Sequence, residues 1–92
     1  MADVERMYIN GEWILAQGGA TFDVVNPADR SVVARVTNGA VPEVERAVTA
    51  AHAAFREWSL LAPKDRGRFL LKIQELMEER RDELARLVTL EN

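Results

Sequence analysis

The chain has 92 residues, enough for one small domain at most. Hydrophobic residues make up 48% and charged residues 29%, the profile of a folded chain and far from that of a disordered one. The formal charge of −3 argues against a nucleic-acid partner, which calls for a basic face. With no cysteine, these residues can supply neither a disulfide, nor a thiolate metal site, nor a cysteine nucleophile. No window approaches the roughly 18 apolar residues of a membrane-spanning helix. The opening "MADVERMYING" lacks the basic flank and long apolar run of a secretory signal. The expectation is therefore a cytoplasmic protein with no membrane partner.

Residues 1–6 are polar and are expected to be loose. In "MYINGEWIL", residues 7–15, an Asn-Gly pair separates short runs rich in aromatic and β-branched residues. Asn10 and Gly11 both tolerate the positive φ of a type I′ turn, which makes this the strongest local hairpin signal in the chain. "AQGGA" reads as a flexible connection. Two valine-rich runs follow in "TFDVVNPADRSVVARV", at residues 21–25 and 32–36. Pro27 has no N–H to give a ladder, so it belongs at a strand end or turn, and residues 28–31 close that turn. The reading is one small antiparallel sheet over residues 7–36.

After Asn38 the pattern becomes helical. Pro42 suits a first helical turn, and Glu43 and Glu45 favour the positive end of a helix dipole. Val44, Val48, Ala51, Phe55 and Trp58 recur at 4-3-4-3 spacing, an apolar stripe on a helix over residues 41–59. Five alanines between Ala47 and Ala54 allow another element to approach closely. "SLLAPKDR" interrupts that helix. Pro63 starts the next, with Asp65 in its first turn and Phe69, Leu70, Ile73, Leu76 and Met77 on its apolar face. Arg80 and Arg81 fall where the stripe should continue, which predicts a kink near Asp82 and a third helix over residues 82–90. The helical region thus covers residues 62–91 after the first helix, and the chain as a whole reads as α/β.

Single residues offer little chemistry. His52 has Val48 and Arg56 at i−4 and i+4, not the second ligand that a helical metal pair needs, so it reads as a surface or core-edge side chain. The glycines match neither the dinucleotide fingerprint nor the P-loop. "EERRDELAR", residues 78–86, is the alternation of a solvated helix face. Trp13 and Trp58 read as packing residues, and neither Ser31 nor Ser59 has a general base beside it in sequence. No active site is assembled from these residues.

The order of elements carries more information than any one residue. "YINGEW", "TFDVVNPADRSVVARV", "VERAVTAAHAAFREWS" and "APKDRGRFLLKIQELMEERRDELARLVTLEN" together resemble the amino-terminal portion of the aldehyde dehydrogenase superfamily, from about Met7 to Asn92. The most specific signatures are Asn26-Pro27 between valine strands, "AAFREW" at residues 53–58, and the closing "DELARLVTLEN". One departure stands out. The turn after Pro27 often reads Ala-Thr-Gly-Glu in relatives, whereas here it is Ala28-Asp29-Arg30-Ser31, without the glycine.

The resemblance implies an aldehyde-dehydrogenase-like fold in which residues 1–92 are the amino-terminal part of the cofactor-binding domain and flank its Rossmann-like core. It implies a full-length enzyme that oxidises an aldehyde to a carboxylic acid with NAD or NADP, through a cysteine thioester, and that assembles into dimers or tetramers. The family's catalytic cysteine, general base and cofactor glycines have no counterparts here, so neither a catalytic nor a cofactor-binding residue is expected in this segment alone. One family site does reach it: a structural Na⁺ or K⁺ held by backbone carbonyls before the Asn-Pro and by a carboxylate in the closing stretch. The matching positions are Val24, Val25 and Glu91, oxygen donors suited to a hard cation. On this reading the apolar helix faces await the remainder of the enzyme or its subunits. The alternatives are a stand-alone α+β interaction module using those faces, or a truncated pseudo-enzyme.

Overall fold

A computed structural model describes residues 3–92 of the chain. Met1 and Ala2, part of the expected loose start, lie outside the described residues. The elements are strands Val4–Glu5 (β1), Met7–Ile9 (β2), Glu12–Ile14 (β3), Thr21–Val25 (β4) and Val32–Thr37 (β5), then helices Val41–Leu60 (α1), Pro63–Glu79 (α2) and Arg81–Glu91 (α3).

Strands β2 and β3 form the expected tight hairpin, with Tyr8 opposite Trp13 and Met7 opposite Ile14. Asn10 and Gly11 take φ of 52° and 80°, as the mirror-image turn requires. The expectation of a single antiparallel sheet needs correction, because β2 and β3 stand apart from a second, three-stranded sheet of order β1-β5-β4. Strands β4 and β5 pair antiparallel, as read from the sequence, whereas β1 pairs parallel to β5 with Val4 opposite Arg35. Residues 4–5 are thus a strand where loose chain was expected. Thr37, one of the few buried residues, fixes that edge by donating its hydroxyl proton to the Glu5 carbonyl at 2.7 Å.

Helix α1 begins after Ala40, whose N–H is accepted by the buried Glu43 carboxylate at 3.1 Å. This is half of a capping box, since alanine offers no side-chain acceptor in return. The helix ends at Leu60, and Arg66 from the first turn of α2 donates to the Leu61 carbonyl at 2.7 Å. A cation thus meets carbonyls at the negative end of the α1 dipole. The break between α2 and α3 falls at Arg80 (φ −105°, ψ 20°) and α3 starts at Arg81, slightly earlier than the sequence spacing placed it. Backbone bonds from Arg80 to Leu76 and from Leu84 to Arg80 persist across the junction, so the chain kinks there without unwinding.

Little is buried. Ile9 and Ala16 are the buried apolar residues among those described. The hairpin leans on α1, and Ala47 and Ala50 are half-buried on that helix. The Val44, Val48 and Phe55 stripe instead points to solvent, at 58%, 63% and 63% exposure. The alanine face, not the branched stripe, is therefore the one this chain covers for itself, as expected where small side chains admit a close neighbour.

Candidate functional site

The residues assigned to a cation start on β4. Val24 is half-buried and Val25 exposed, and the β4–β5 register slips between them. Val24 faces Ala34 and Val25 faces Val32, which leaves Val33 as the extra residue of a β-bulge. A bulge disrupts the ladder locally and bends the strand that carries it, so the pairing of β5 with this point of β4 is irregular where carbonyl ligands are called for. Glu91 is the exposed last residue of α3, and α3 packs on α2 without any substantial packing against β4. The donor chemistry suits a hard monovalent ion, with two carbonyls on β4 and a carboxylate at the end of α3. No three His, Cys, Asp or Glu side chains are grouped to hold a metal among the described residues.

Beyond the bulge, residues 26–31 form a turn tied by its own polar groups. The Asn26 side-chain oxygen accepts from the Ala28 N–H at 2.9 Å, and the Arg30 N–H donates to the Asn26 carbonyl at 2.7 Å. Ser31 donates both its hydroxyl, at 2.7 Å, and its backbone N–H, at 2.9 Å, to the Asp29 carboxylate. A carboxylate does therefore sit beside Ser31, contrary to the sequence reading. These bonds, the hydroxyl first, hold the Asp29 carboxyl below its ordinary value of 3.8, which makes it a weaker base. With both side chains at an exposed loop tip, the pair is a turn and not an activated nucleophile.

The remaining candidates behave as packing or surface. His52 is exposed on α1, in a shallow cleft with Val48, Thr49 and Arg56. Ser59 turns its hydroxyl back to the Arg56 carbonyl at 3.3 Å. Trp58 tilts against Phe69 with ring centroids 5.3 Å apart, closing the elbow between α1 and α2. Trp13 stacks on Tyr8 at 4.9 Å, a cross-strand pair that the hairpin register makes inevitable. Residues 78–83 are all exposed, as a solvated face should be. Sequence reasoning missed the Arg66 and Arg46 contacts, the latter a 2.9 Å ion pair with Glu12 joining α1 to the hairpin. Arg46 and Glu12 lie far apart in sequence, and Arg66 reaches back five residues to a backbone carbonyl, which side-chain pattern does not reveal.

A small strand region feeds three helices, and no catalytic centre is assembled among the described residues. The model of the aldehyde dehydrogenase family matches residues 13–92. The chain belongs to the aldehyde dehydrogenase family. It is 42% identical to a malonate-semialdehyde dehydrogenase of Bacillus velezensis, over 100% of this chain and 19% of that protein. It is 40% identical to the cytosolic 10-formyltetrahydrofolate dehydrogenase of Xenopus tropicalis, over 95% of this chain and 10% of that protein. Among solved structures, it superposes on the NAD⁺ complex of an aldehyde dehydrogenase from Bacillus cereus with a TM-score of 0.91 and 38% identity, covering 98% of this chain and 19% of that one. It also superposes on PnpE in complex with nicotinamide adenine dinucleotide, with a TM-score of 0.87 and 42% identity. The chain thus spans between 10% and 19% of the length of these curated relatives, and the fold expected from the resemblance is the fold observed.

Proposed function

We propose that these residues are the amino-terminal part of the cofactor-binding domain of an NAD(P)-dependent aldehyde dehydrogenase that oxidises an aldehyde to a carboxylic acid through a cysteine thioester. The observation that carries the proposal is the superposition of almost the entire chain on an NAD⁺-bound aldehyde dehydrogenase at 38% identity. Because the chain contains no cysteine, the nucleophile belongs to other residues of the enzyme. The role of this segment is architectural: its exposed helix faces cover, and are covered by, the rest of the same enzyme and its subunits.

A cation proposal rests on the same reading. The carbonyls of Val24 and Val25 and the Glu91 carboxylate serve a structural Na⁺ or K⁺ once the remainder of the enzyme brings them together. Hard oxygen donors, and the bulge that Val33 makes opposite Val24 and Val25, support this assignment.

The test is the product of the complete gene, assayed for aldehyde-dependent reduction of NAD and NADP, beside the 92 residues alone. Activity in the former and none in the latter is the expected result. A full product that reduces neither cofactor with any aldehyde of a broad panel would overturn the proposal. Replacing Na⁺ and K⁺ by a bulky organic cation should lower the melting temperature of the full product, and Glu91→Gln should abolish that difference.

A further inference from the structure

Two Asn-Gly dipeptides occur in the chain, Asn10-Gly11 and Asn38-Gly39, and the fold treats them differently. We propose that Asn10 is a site of spontaneous conversion to aspartate and isoaspartate, and that the fold protects Asn38. The chemistry needs no enzyme. The Gly11 amide nitrogen attacks Cγ of Asn10, forming a C–N bond. The Cγ–Nδ2 bond breaks, and ammonia leaves carrying the Gly11 amide proton. Water then opens the cyclic imide at either of its carbonyls, leaving aspartate or isoaspartate at position 10. Glycine favours the attack because it has no Cβ to obstruct it.

Around Asn10 the obstacles are slight. Both turn residues are exposed, and a Cβ placed on Gly11 would meet nothing within 4 Å. Ring closure requires the peptide between them to swing out of the turn, so the rate follows the opening of the hairpin. That hairpin has strands of three residues each and, among the described residues, no third strand beside it, a size that is marginal on its own. The Arg46–Glu12 ion pair that ties it to α1 is half-exposed on both sides and restrains opening weakly.

Asn38 is exposed as well, but its backbone is held between two anchored neighbours. Its N–H donates to the Ala20 carbonyl at 2.9 Å. The preceding Thr37 holds the Glu5 carbonyl, and the Ala40 N–H beyond it is held by Glu43. The Met7 side chain also covers Gly39, its sulfur 2.9 Å from where a Cβ would stand. Opening this segment means breaking the β5 end and the α1 start together.

The consequence at position 10 is structural. Isoaspartate adds a backbone methylene to a turn with only two central residues, which cannot then keep Tyr8 opposite Trp13. It also places a carboxylate beside Glu12. A converted chain therefore loses the Tyr8–Trp13 stack.

The experiment ages the purified full-length protein at mildly alkaline pH and follows both sites by peptide mapping with isoaspartate detection, alongside the same protein in denaturant. In denaturant the two dipeptides should convert at similar rates. In the folded protein Asn10 should convert at least about ten-fold faster than Asn38, because reaction through an open form tracks its population. Asn10→Gln should abolish conversion at that position and leave Asn38 unchanged. Equal rates in the folded protein, faster conversion at Asn38, or no conversion at Asn10 while the denatured sample reacts would each overturn the proposal.

Discussion

Arg30 holds a left-handed backbone, φ 63°, at the turn position where the family resemblance leads one to expect glycine. A side chain there crowds the following carbonyl at a cost of roughly 1–2 kcal/mol, yet the turn keeps its form because Asn26, Asp29 and Ser31 bond it from within. Arg30→Gly removes the crowding but adds freedom to the unfolded chain. The net expectation is a gain of about 0.5–1 kcal/mol in the local stability of the β4–β5 hairpin. Hydrogen exchange of the strand amides in the full-length protein checks it; unchanged or faster exchange would show that Arg30 is not strained. Asp29 gives a second handle on the same turn. Its pKa is lowered, so its contribution is fully present above the ordinary carboxylate value and fades as pH falls through the lower folded value. Near neutral pH the turn should therefore be insensitive to acidity. Ser31→Ala removes the largest cause of the shift and should return the Asp29 titration, followed by NMR, towards 3.8.

At the scale of elements, the α1–α2 elbow depends on two contacts across the junction. Pro63 and Asp65 start α2 by local rules legible in the sequence, but the angle between the helices is held by Arg66 on the Leu61 carbonyl and by Trp58 on Phe69. Arg66→Ala should cost about 1 kcal/mol, the net worth of a hydrogen bond of this kind. Because the donor is a planar fork, Arg66→Lys should recover only part of it. Faster hydrogen exchange confined to residues 58–66 is the expected signature, and a uniform change across the protein would contradict it. The same division explains what the sequence made legible. The Asn-Gly hairpin, the Pro-led helices and the kink after the apolar stripe are written in neighbouring residues, and each was found within a residue or two. Strand β1 was not, because two residues carry no alternation and their partner on β5 lies about thirty positions away. The split into two sheets escaped for the same reason. Residues Val24, Val25 and Glu91 came from family resemblance alone, since carbonyl ligands leave no trace in side-chain pattern and their closure depends on contacts between distant elements.

For the whole molecule, surface area decides the outcome. A compact chain of 10.4 kDa should expose about 5,400 Å² and have a radius of gyration of about 12 Å. This one exposes 7898 Å² with a radius of gyration of 16.6 Å, spread over 47 × 34 × 19 Å. The excess, about 2,500 Å² on one partner, is several times what one side of a standard protein interface buries. Much of it is apolar: Phe55, Leu70, Ile73 and Leu87 are 63%, 63%, 52% and 40% exposed. Patches of that extent do not stay in water unaccompanied. The 92 residues on their own should therefore self-associate, or remain partly molten with strong binding of a hydrophobic dye and a broad thermal transition. Supplying the rest of the enzyme as a separate polypeptide should sharpen that transition and displace the dye, because the missing surface is then restored. A sharp, monomeric, two-state melt of the 92 residues alone would show instead that these helix faces need no cover, and would favour the stand-alone interaction module over the segment of a dehydrogenase.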